Sequence, residues 1–232
     1  RHLLVQREAR RLALEKRQVR FQFISVLGHE LKAPLAAVEG YLQILKDGSA
    51  GSDPAVVARV IDRALIRTEG MRKLIVDLLN MTRIESGQKR RDLASADLRD
   101  AAAAAIETVA AAATSRGIAI RLDAPERAPL VADRGELDIV FNNLVSNAVK
   151  FTSRGQVCLR VAHQREMARF EIEDSGPGMS EAELARVFEP FERGQAAAGM
   201  SAGSTGLGLT IARMLTELMG GEMTVTSRPG HG

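Results

Sequence analysis

The sequence predicts an all-α antiparallel helical hairpin, forming a four-helix bundle in a dimer, followed by a mixed α+β domain. Two apolar stripes with heptad spacing run between residues 27 and 78, and they predict the hairpin. From residue 97 onward, helix-like and strand-like patterns alternate, which is typical of a mixed domain. The length of 232 residues is sufficient for two domains that each bury a core.

Bulk properties exclude several classes of protein. The net charge is only +3, and basic residues are interspersed with acidic ones, so we expect no nucleic-acid partner. Cys158 is the only cysteine, so no internal disulfide forms, and a cytoplasmic location is expected. No apolar run reaches the roughly 20 residues of a membrane span. The chain starts without Met within a helical pattern, so we expect a piece of a longer protein, with any membrane anchor outside it.

The first helix is predicted from residue 1 onward. Residues 1–20 are dense in helix-forming residues without Gly or Pro, and we interpret them as a signalling helix. A stripe follows with alternating steps of four and three residues: Leu27, Leu31, Leu35, Val38, Leu42 and Leu45. The run Asp47-Gly48-Ser49 ends the helix.

The second helix starts near Asp53, a helix-capping residue, with Pro54 at the first helical position. Its predicted seam is Val57, Ile61, Ala64, Thr68, Met71, Ile75 and Leu78. Because one hairpin cannot bury both seams, we expect a homodimer whose two hairpins form the bundle.

The charged connector at residues 88–92 is the predicted domain boundary. The expected elements after it are a helix capped by Asp97 that ends near Ala113, a strand at 118–122, a helix at 136–151, and two antiparallel strands, one containing Val157, Leu159 and Val161 and the other Phe170 and Ile172, joined at 163–166. Residues 174–208 are rich in Gly, Ser and Pro and are expected to be largely irregular, which in a compact domain usually indicates function.

His29 is a candidate nucleophile on the first helix. With about 100° per residue counted from Leu27, the apolar stripe centres near about 35° and His29 falls near about 200°, so the imidazole is predicted to face solvent. Glu30 is placed to hydrogen-bond that imidazole, and Pro34 removes a backbone hydrogen bond and should bend the helix. Outside this context, a helical His on a polar face usually has no function.

Three polar residues recur on one face of the helix at 136–151, namely Asn143, Asn147 and Lys150. Amide oxygens suit Mg²⁺ beside phosphates, and Lys offers a compact cation, although buried amides that only satisfy each other are the alternative. Residues 203–209 run directly into a helix whose free N–H groups suit phosphate. The run Asp174 to Met179 contains an acid and two glycines and on its own could be a tight turn.

These segments together resemble the sensor histidine kinases of two-component systems over nearly the whole chain. Residues 25–35 resemble their H-box, 137–151 the N-box, 174–179 and 203–209 the two glycine boxes, and 187–193 the F-box. The resemblance implies that the second domain is an α+β two-layer sandwich of the Bergerat or GHKL type. Residues 220–227 match the next glycine turn and strand, and the family's last strand is missing.

The resemblance also assigns roles. It implies that His29 is the phosphoacceptor with Glu30 as its general-base or orienting partner, and that Asn147 is the main magnesium ligand with Asn143 supporting it. The implied ATP-binding residues are Asn143, Asn147, Lys150, Asp174 on the adenine amino group, Gly176, Gly178, Arg193, Thr205, Gly206, Leu207, Gly208 and Leu209. The implied lid is 194–204.

The expected organisation is a signalling helix at 1–20, a dimerisation and phosphotransfer domain at 21–88, and an ATP-binding domain at 89–232. The expected activity is autophosphorylation of His29 from Mg-ATP, followed by transfer to an Asp on a response-regulator receiver domain, under an upstream sensor domain. Asn143 stands where hydrolysing relatives carry Glu, so we expect transfer of the phosphoryl group to His29 and not hydrolysis of ATP. Ala33 stands where many kinases carry Thr or Asn, so we expect weak phosphatase activity by that route. A hydrolytic ATPase and an inactive dimeric scaffold are the alternatives.

Overall fold

The structure is a computed structural model that describes residues 2–87, 90–164, 167–192, 194 and 205–232, with only the backbone described for 2–23, 163 and 164. The chain divides into two compact units, Arg1–Lys73 and Leu74–Gly232. This division falls inside the second helix, so the expected domain boundaries near residues 20 and 88 stay predictions.

Two long helices form the N-terminal hairpin. Helix α1 spans His2–Lys46 and continues through Pro34, and helix α2 spans Pro54–Glu85. The first helix ends before Gly48, whose φ of 68° suits a residue without a Cβ. The Asp53 side chain accepts a hydrogen bond of 2.9 Å from the Ala55 N–H group, which confirms the predicted start of α2. None of the helices in the described residues is long and apolar enough to cross a membrane.

The apolar face of α2 is wider than the predicted seam. The partly or wholly buried positions include Val57, Val60, Ala64, Arg67, Met71, Leu74, Asp77, Leu78, Met81 and Ile84. Ile61 and Ile75, both predicted as seam residues, are 43% and 47% exposed in the single chain, so their burial in a dimer stays a prediction. Together with Leu65 and Leu79, they form a second apolar stripe beside the buried one.

The second unit adds an α+β domain. Its elements are β1 (Leu93–Asp97), α3 (Leu98–Ser115), β2 (Ile118–Asp123), β3 (Pro129–Asp133), α4 (Arg134–Phe151), β4 (Gly155–Gln164), β5 (Met167–Asp174), α5 (Glu181–Leu184) and α6 (Gly208–Leu218). Strand β4 lies between β2, which is parallel to it, and β5, which is antiparallel. Strands β1 and β3 form a separate antiparallel ribbon that the sequence did not predict.

Two helices pack on one face of the sheet, which confirms the two-layer sandwich. Val157 and Leu159 point inward and are fully buried. The Phe141 ring of α4 stacks on Phe170 of β5, with ring centroids 4.0 Å apart. The opposite face carries ion pairs such as Arg160 with Glu173 at 2.9 Å.

The segment after α6 differs from its prediction. Residues 220–227 match a glycine turn and strand in sequence, but the structure assigns no strand there. The hydroxyl of Ser227 instead accepts a hydrogen bond of 2.9 Å from the Met179 N–H group and donates one of 2.7 Å to the Gly232 carbonyl. The Ser227 side chain therefore attaches the end of this segment to Met179 and Gly232.

Candidate nucleotide site and phosphoacceptor helix

His29 lies exposed on α1, two residues after the buried Leu27. This confirms the solvent-facing position that the helical periodicity predicts. Glu30 is partly buried. Its hydrogen bond to the imidazole and the bend at Pro34 stay predictions.

Helix α4 holds the three polar residues of the predicted nucleotide site. The helix begins where the Asp133 side chain accepts a hydrogen bond of 3.2 Å from the Glu136 N–H group. Asn143 is buried at 8% exposure, because it lies beneath the start of another helix, whereas Asn147 and Lys150 are partly buried. The face thus runs from a covered amide to an accessible ammonium group.

Helix α6 begins directly against Asn143. A Cβ atom placed on Gly208 would lie 2.7 Å from the Asn143 Oδ1 atom, closer than real Cβ atoms come to other atoms. A larger residue at this position would displace the Asn143 side chain, whereas glycine allows the first turn of α6 to approach this amide. The approach brings the free N–H groups of a helix N-terminus next to the polar face of α4.

The turn before α6 is fixed by its own hydrogen bonds. The hydroxyl of Thr205 accepts one of 3.2 Å from the Leu207 N–H group, and the Gly206 carbonyl accepts one of 2.9 Å from the Phe191 N–H group. Gly206 has a φ of 70°, and a Cβ there would lie 2.7 Å from the Phe191 Cα atom. This hydrogen bond joins Phe191 and Gly206, which flank the predicted lid. Arg193 and residues 195–204 lie outside the described residues. The predicted role of Arg193 therefore stays a prediction.

The Asp174 turn packs at the other end of α4. The Asp174 Oδ1 atom accepts a hydrogen bond of 2.8 Å from the Gly176 N–H group. A Cβ on Gly176 would lie 3.2 Å from the Phe151 carbonyl oxygen, and Gly178 has a φ of 67° with the Arg228 carbonyl close to it. The two glycine segments therefore both contact α4, the first at Phe151 and the second at Asn143.

Sequence reasoning missed Asp77, a residue of α2 that belongs to the second unit. Its Oδ2 atom accepts a hydrogen bond of 2.8 Å from the Thr205 hydroxyl, and both residues are buried. The sequence signal that could have identified it was its position: Asp77 is an acidic residue between Leu74 and Met81 on the apolar face of α2. Its partner, 128 residues further along the chain, could not be predicted from helix periodicity.

A divalent cation at this site would need oxygen ligands from amides and phosphate. Among the residues that the structure describes, no group of three or more His, Cys, Asp or Glu side chains could hold a metal. Asn143 and Asn147 offer amide oxygens one helical turn apart, beside the helix N-terminus that suits phosphate. This donor set fits Mg²⁺ bound together with a nucleotide and does not fit a metal bound by protein alone.

Comparison with known proteins finds two family models. Residues 19–87 match the His Kinase A (phospho-acceptor) domain, and residues 132–232 match the histidine kinase-, DNA gyrase B- and HSP90-like ATPase domain. Among curated proteins, the probable sensor histidine kinase TcrY of Mycobacterium tuberculosis is 34% identical over 90% of this chain and 44% of its own length. The chain spans less than half the length of this and the next curated relatives.

Solved structures also match. ShkA, whose full-length crystal structure is a complex with AMPPNP, gives a TM-score of 0.65 at 28% identity and covers 90% of this chain and 43% of its own. The histidine kinase ThkA, solved in complex with the response regulator protein TrrA, gives a TM-score of 0.70 at 19% identity over 90% of this chain and 58% of its own. At that identity the likeness concerns the fold alone.

Proposed function

The chain belongs to the sensor histidine kinases, and from this premise we propose that it is the catalytic core of one. In this proposal it transfers the γ-phosphoryl group of ATP to His29 and then to an aspartate of a response regulator. The observation that carries the proposal is the contact of α4 with both glycine segments, at Asn143 and at Phe151, in a chain that also presents an exposed His29.

His29 is the proposed nucleophile. An imidazole nitrogen forms a bond to the γ-phosphorus atom while the bond between that atom and the β,γ-bridging oxygen breaks, and ADP leaves. Glu30, the next residue on α1, is proposed to orient the ring and accept the proton from its other nitrogen. Exposure of His29 supports this role, because a buried ring could not reach a nucleotide.

The nucleotide is proposed to lie along α4. Asp174 accepts a hydrogen bond from the adenine amino group, and Gly176 and Gly178 let the backbone approach the base. The phosphates lie at the start of α6, bound by backbone N–H groups of the turn formed by Thr205, Gly206, Leu207, Gly208 and Leu209, with Lys150 and Arg193 as cationic partners. Asn147 and Asn143 would hold Mg²⁺, which when bound neutralises phosphate charge.

The site favours transfer to an imidazole over hydrolysis. Hydrolysis requires a group that activates water, and Asn143 occupies the buried position on α4 beside the α6 N-terminus. A neutral amide does not act as a general base there. We therefore infer that bound ATP persists until His29 attacks it.

Partners follow from the same proposal. The second apolar stripe of α2 supports a homodimer, since it is exposed in the single chain. The crystal structure of ThkA contains a bound response regulator, and we propose that this chain likewise delivers its phosphoryl group to a receiver domain. An upstream sensor domain would act on α1.

Incubation with γ-labelled ATP and Mg²⁺ tests the proposal. We expect label on the protein that is stable to alkali and lost in acid, as phosphohistidine is, and that disappears in the His29→Gln variant. Free phosphate without labelled protein would instead support a hydrolytic ATPase. Neither product, with nucleotide binding intact, would support an inactive scaffold.

A further inference from the structure

We propose that Asp77 is a positioning residue of the nucleotide site and acts through the hydroxyl group of Thr205. The proposal rests on the proposed function, since it assumes that the turn before α6 binds phosphate. In it, a carboxylate on α2 fixes the conformation of that turn. The consequence is that the affinity for nucleotide depends on a residue of the hairpin's second helix.

The hydrogen bonds of Thr205 form a chain. A threonine hydroxyl has one proton to donate and lone pairs to accept. The proton goes to the Asp77 Oδ2 atom at 2.8 Å, and the oxygen accepts a hydrogen bond of 3.2 Å from the Leu207 N–H group. Because the O–H bond of Thr205 points toward Asp77, the lone pairs of the hydroxyl oxygen face the backbone of the turn.

Burial makes this chain strong. Asp77 is 7% exposed and Thr205 is 6% exposed. Leu207, the last residue in this series of hydrogen bonds, is fully buried. Hydrogen bonds to an ionised acceptor are roughly twice as strong as neutral ones, and water competes poorly at such sites. Thr205 is therefore held in one rotamer by a partner outside the turn.

The turn that Thr205 holds is the one that carries the predicted phosphate donors. The Gly206 carbonyl accepts a hydrogen bond from the Phe191 N–H group. The Asn143 amide lies against Gly208, in the position that a Cβ atom of a larger residue would occupy. Asp77 is the third residue outside the turn that contacts it, after Phe191 and Asn143. If the hydroxyl rotates away, the Leu207 N–H group loses its acceptor, and the N–H groups next to it lose their fixed direction.

The test is equilibrium binding of AMPPNP with Mg²⁺ to the full chain, measured by calorimetry. We expect the dissociation constant to rise about tenfold in Asp77→Ala and in Thr205→Val, as removal of one charge-assisted hydrogen bond predicts. The double variant should bind no more weakly than either single variant, because both changes break the same contact. Additive losses or unchanged affinity would overturn the proposal.

Conservative variants separate positioning from electrostatics and from general packing. Asp77→Asn keeps an acceptor but loses the charge, and Thr205→Ser keeps the hydroxyl, so each should lose less than about threefold in affinity. Tighter binding by Asp77→Asn would mean that charge repulsion of phosphate dominates, and would overturn the proposal. Asp62→Ala, at an exposed position of the same helix, is the matched control and should bind as the unmodified chain does.

Autophosphorylation kinetics give the second readout. In Asp77→Ala, the KM for ATP should rise about tenfold while the initial rate at saturating ATP stays within about threefold. Equal loss of rate at all ATP concentrations would instead indicate a structural role. Binding of AMPPNP can be measured in His29→Gln as well, so an absence of phosphohistidine would refute the proposed function without deciding the role of Asp77.

Discussion

At Gly208, a single methyl group would enter space that the Asn143 amide occupies, since a Cβ there would lie 2.7 Å from Oδ1. Gly208→Ala should therefore displace Asn143 and weaken binding of AMPPNP with Mg²⁺ by about tenfold, in line with the roughly 1–3 kcal/mol cost of overpacking. Calorimetry measures the effect. Gly70→Ala on α2, where nothing lies within 4 Å, is the control and should leave binding unchanged.

Ala33 lies exposed on α1, one turn after His29. A hydroxyl at this position could orient a water molecule toward an aspartyl phosphate on a bound regulator, and Ala cannot. Ala33→Thr is therefore expected to raise regulator dephosphorylation by about tenfold, measured as loss of label from a phosphorylated receiver domain. Ala33→Val has the same shape without the hydroxyl and should show no gain; equal gains in both variants would contradict the water-positioning role.

Individual residues differed in how well their positions could be predicted. The exposure of His29 follows from the periodicity of one helix, so the sequence alone was sufficient. The contact of Gly208 with Asn143 joins two helices, and only the resemblance to a known family linked them. Asp77 shows the limit, because its partner Thr205 lies far along the chain and no local pattern marks the pair.

At the scale of elements, the segment after α2 is attached to the α+β domain by a buried ion pair. Arg91 donates a hydrogen bond of 2.9 Å from Nε to Glu136, which is fully buried, and another of 3.2 Å to the Leu218 carbonyl. Arg91→Ala should lower the free energy of unfolding by about 3 kcal/mol, because a buried carboxylate loses its cation. Denaturation at fixed protein concentration measures this.

The neighbouring Arg90 provides the control for that prediction. It is exposed, and Arg90→Ala should change the free energy of unfolding by less than about 0.5 kcal/mol. If both variants lose the same stability, the ion pair with Glu136 does not contribute as inferred, and net charge would explain the result.

Element prediction succeeded where the signals were local and strong. The caps Asp53 and Asp97 and the alternation in β4 and β5 fixed those elements correctly. Strands β1 and β3 were missed because each has five residues and gains its stability from pairing with the other. The strand predicted within residues 220–227 is the opposite case, since a strand-like sequence forms a strand only when a partner strand pairs with it.

At the scale of the whole molecule, α2 has more apolar surface than one chain covers. Its second stripe is Ile61, Leu65, Ile75 and Leu79, each at least 43% exposed. The predicted seam includes residues of both the exposed stripe and the buried one. Helical periodicity identifies the apolar face of α2, but it does not show which part of that face is covered by the same chain and which part by another chain. Two exposed apolar pairs of this kind, with Thr68 and Arg72 between them, are typical of a helix that packs on a partner chain.

Replacement of this stripe tests the homodimer. Leu65→Lys together with Ile75→Lys would place two charges in the apolar interface of a four-helix bundle, and burial of unpaired charge is costly. We expect the double variant to sediment as a monomer in analytical ultracentrifugation, with reduced helical circular dichroism and little phosphohistidine, because the hairpin loses the surface that covers it. Asp62→Lys introduces a lysine at an exposed polar position of the same helix and should remain dimeric. A dimeric double variant would place the interface on another face of the hairpin.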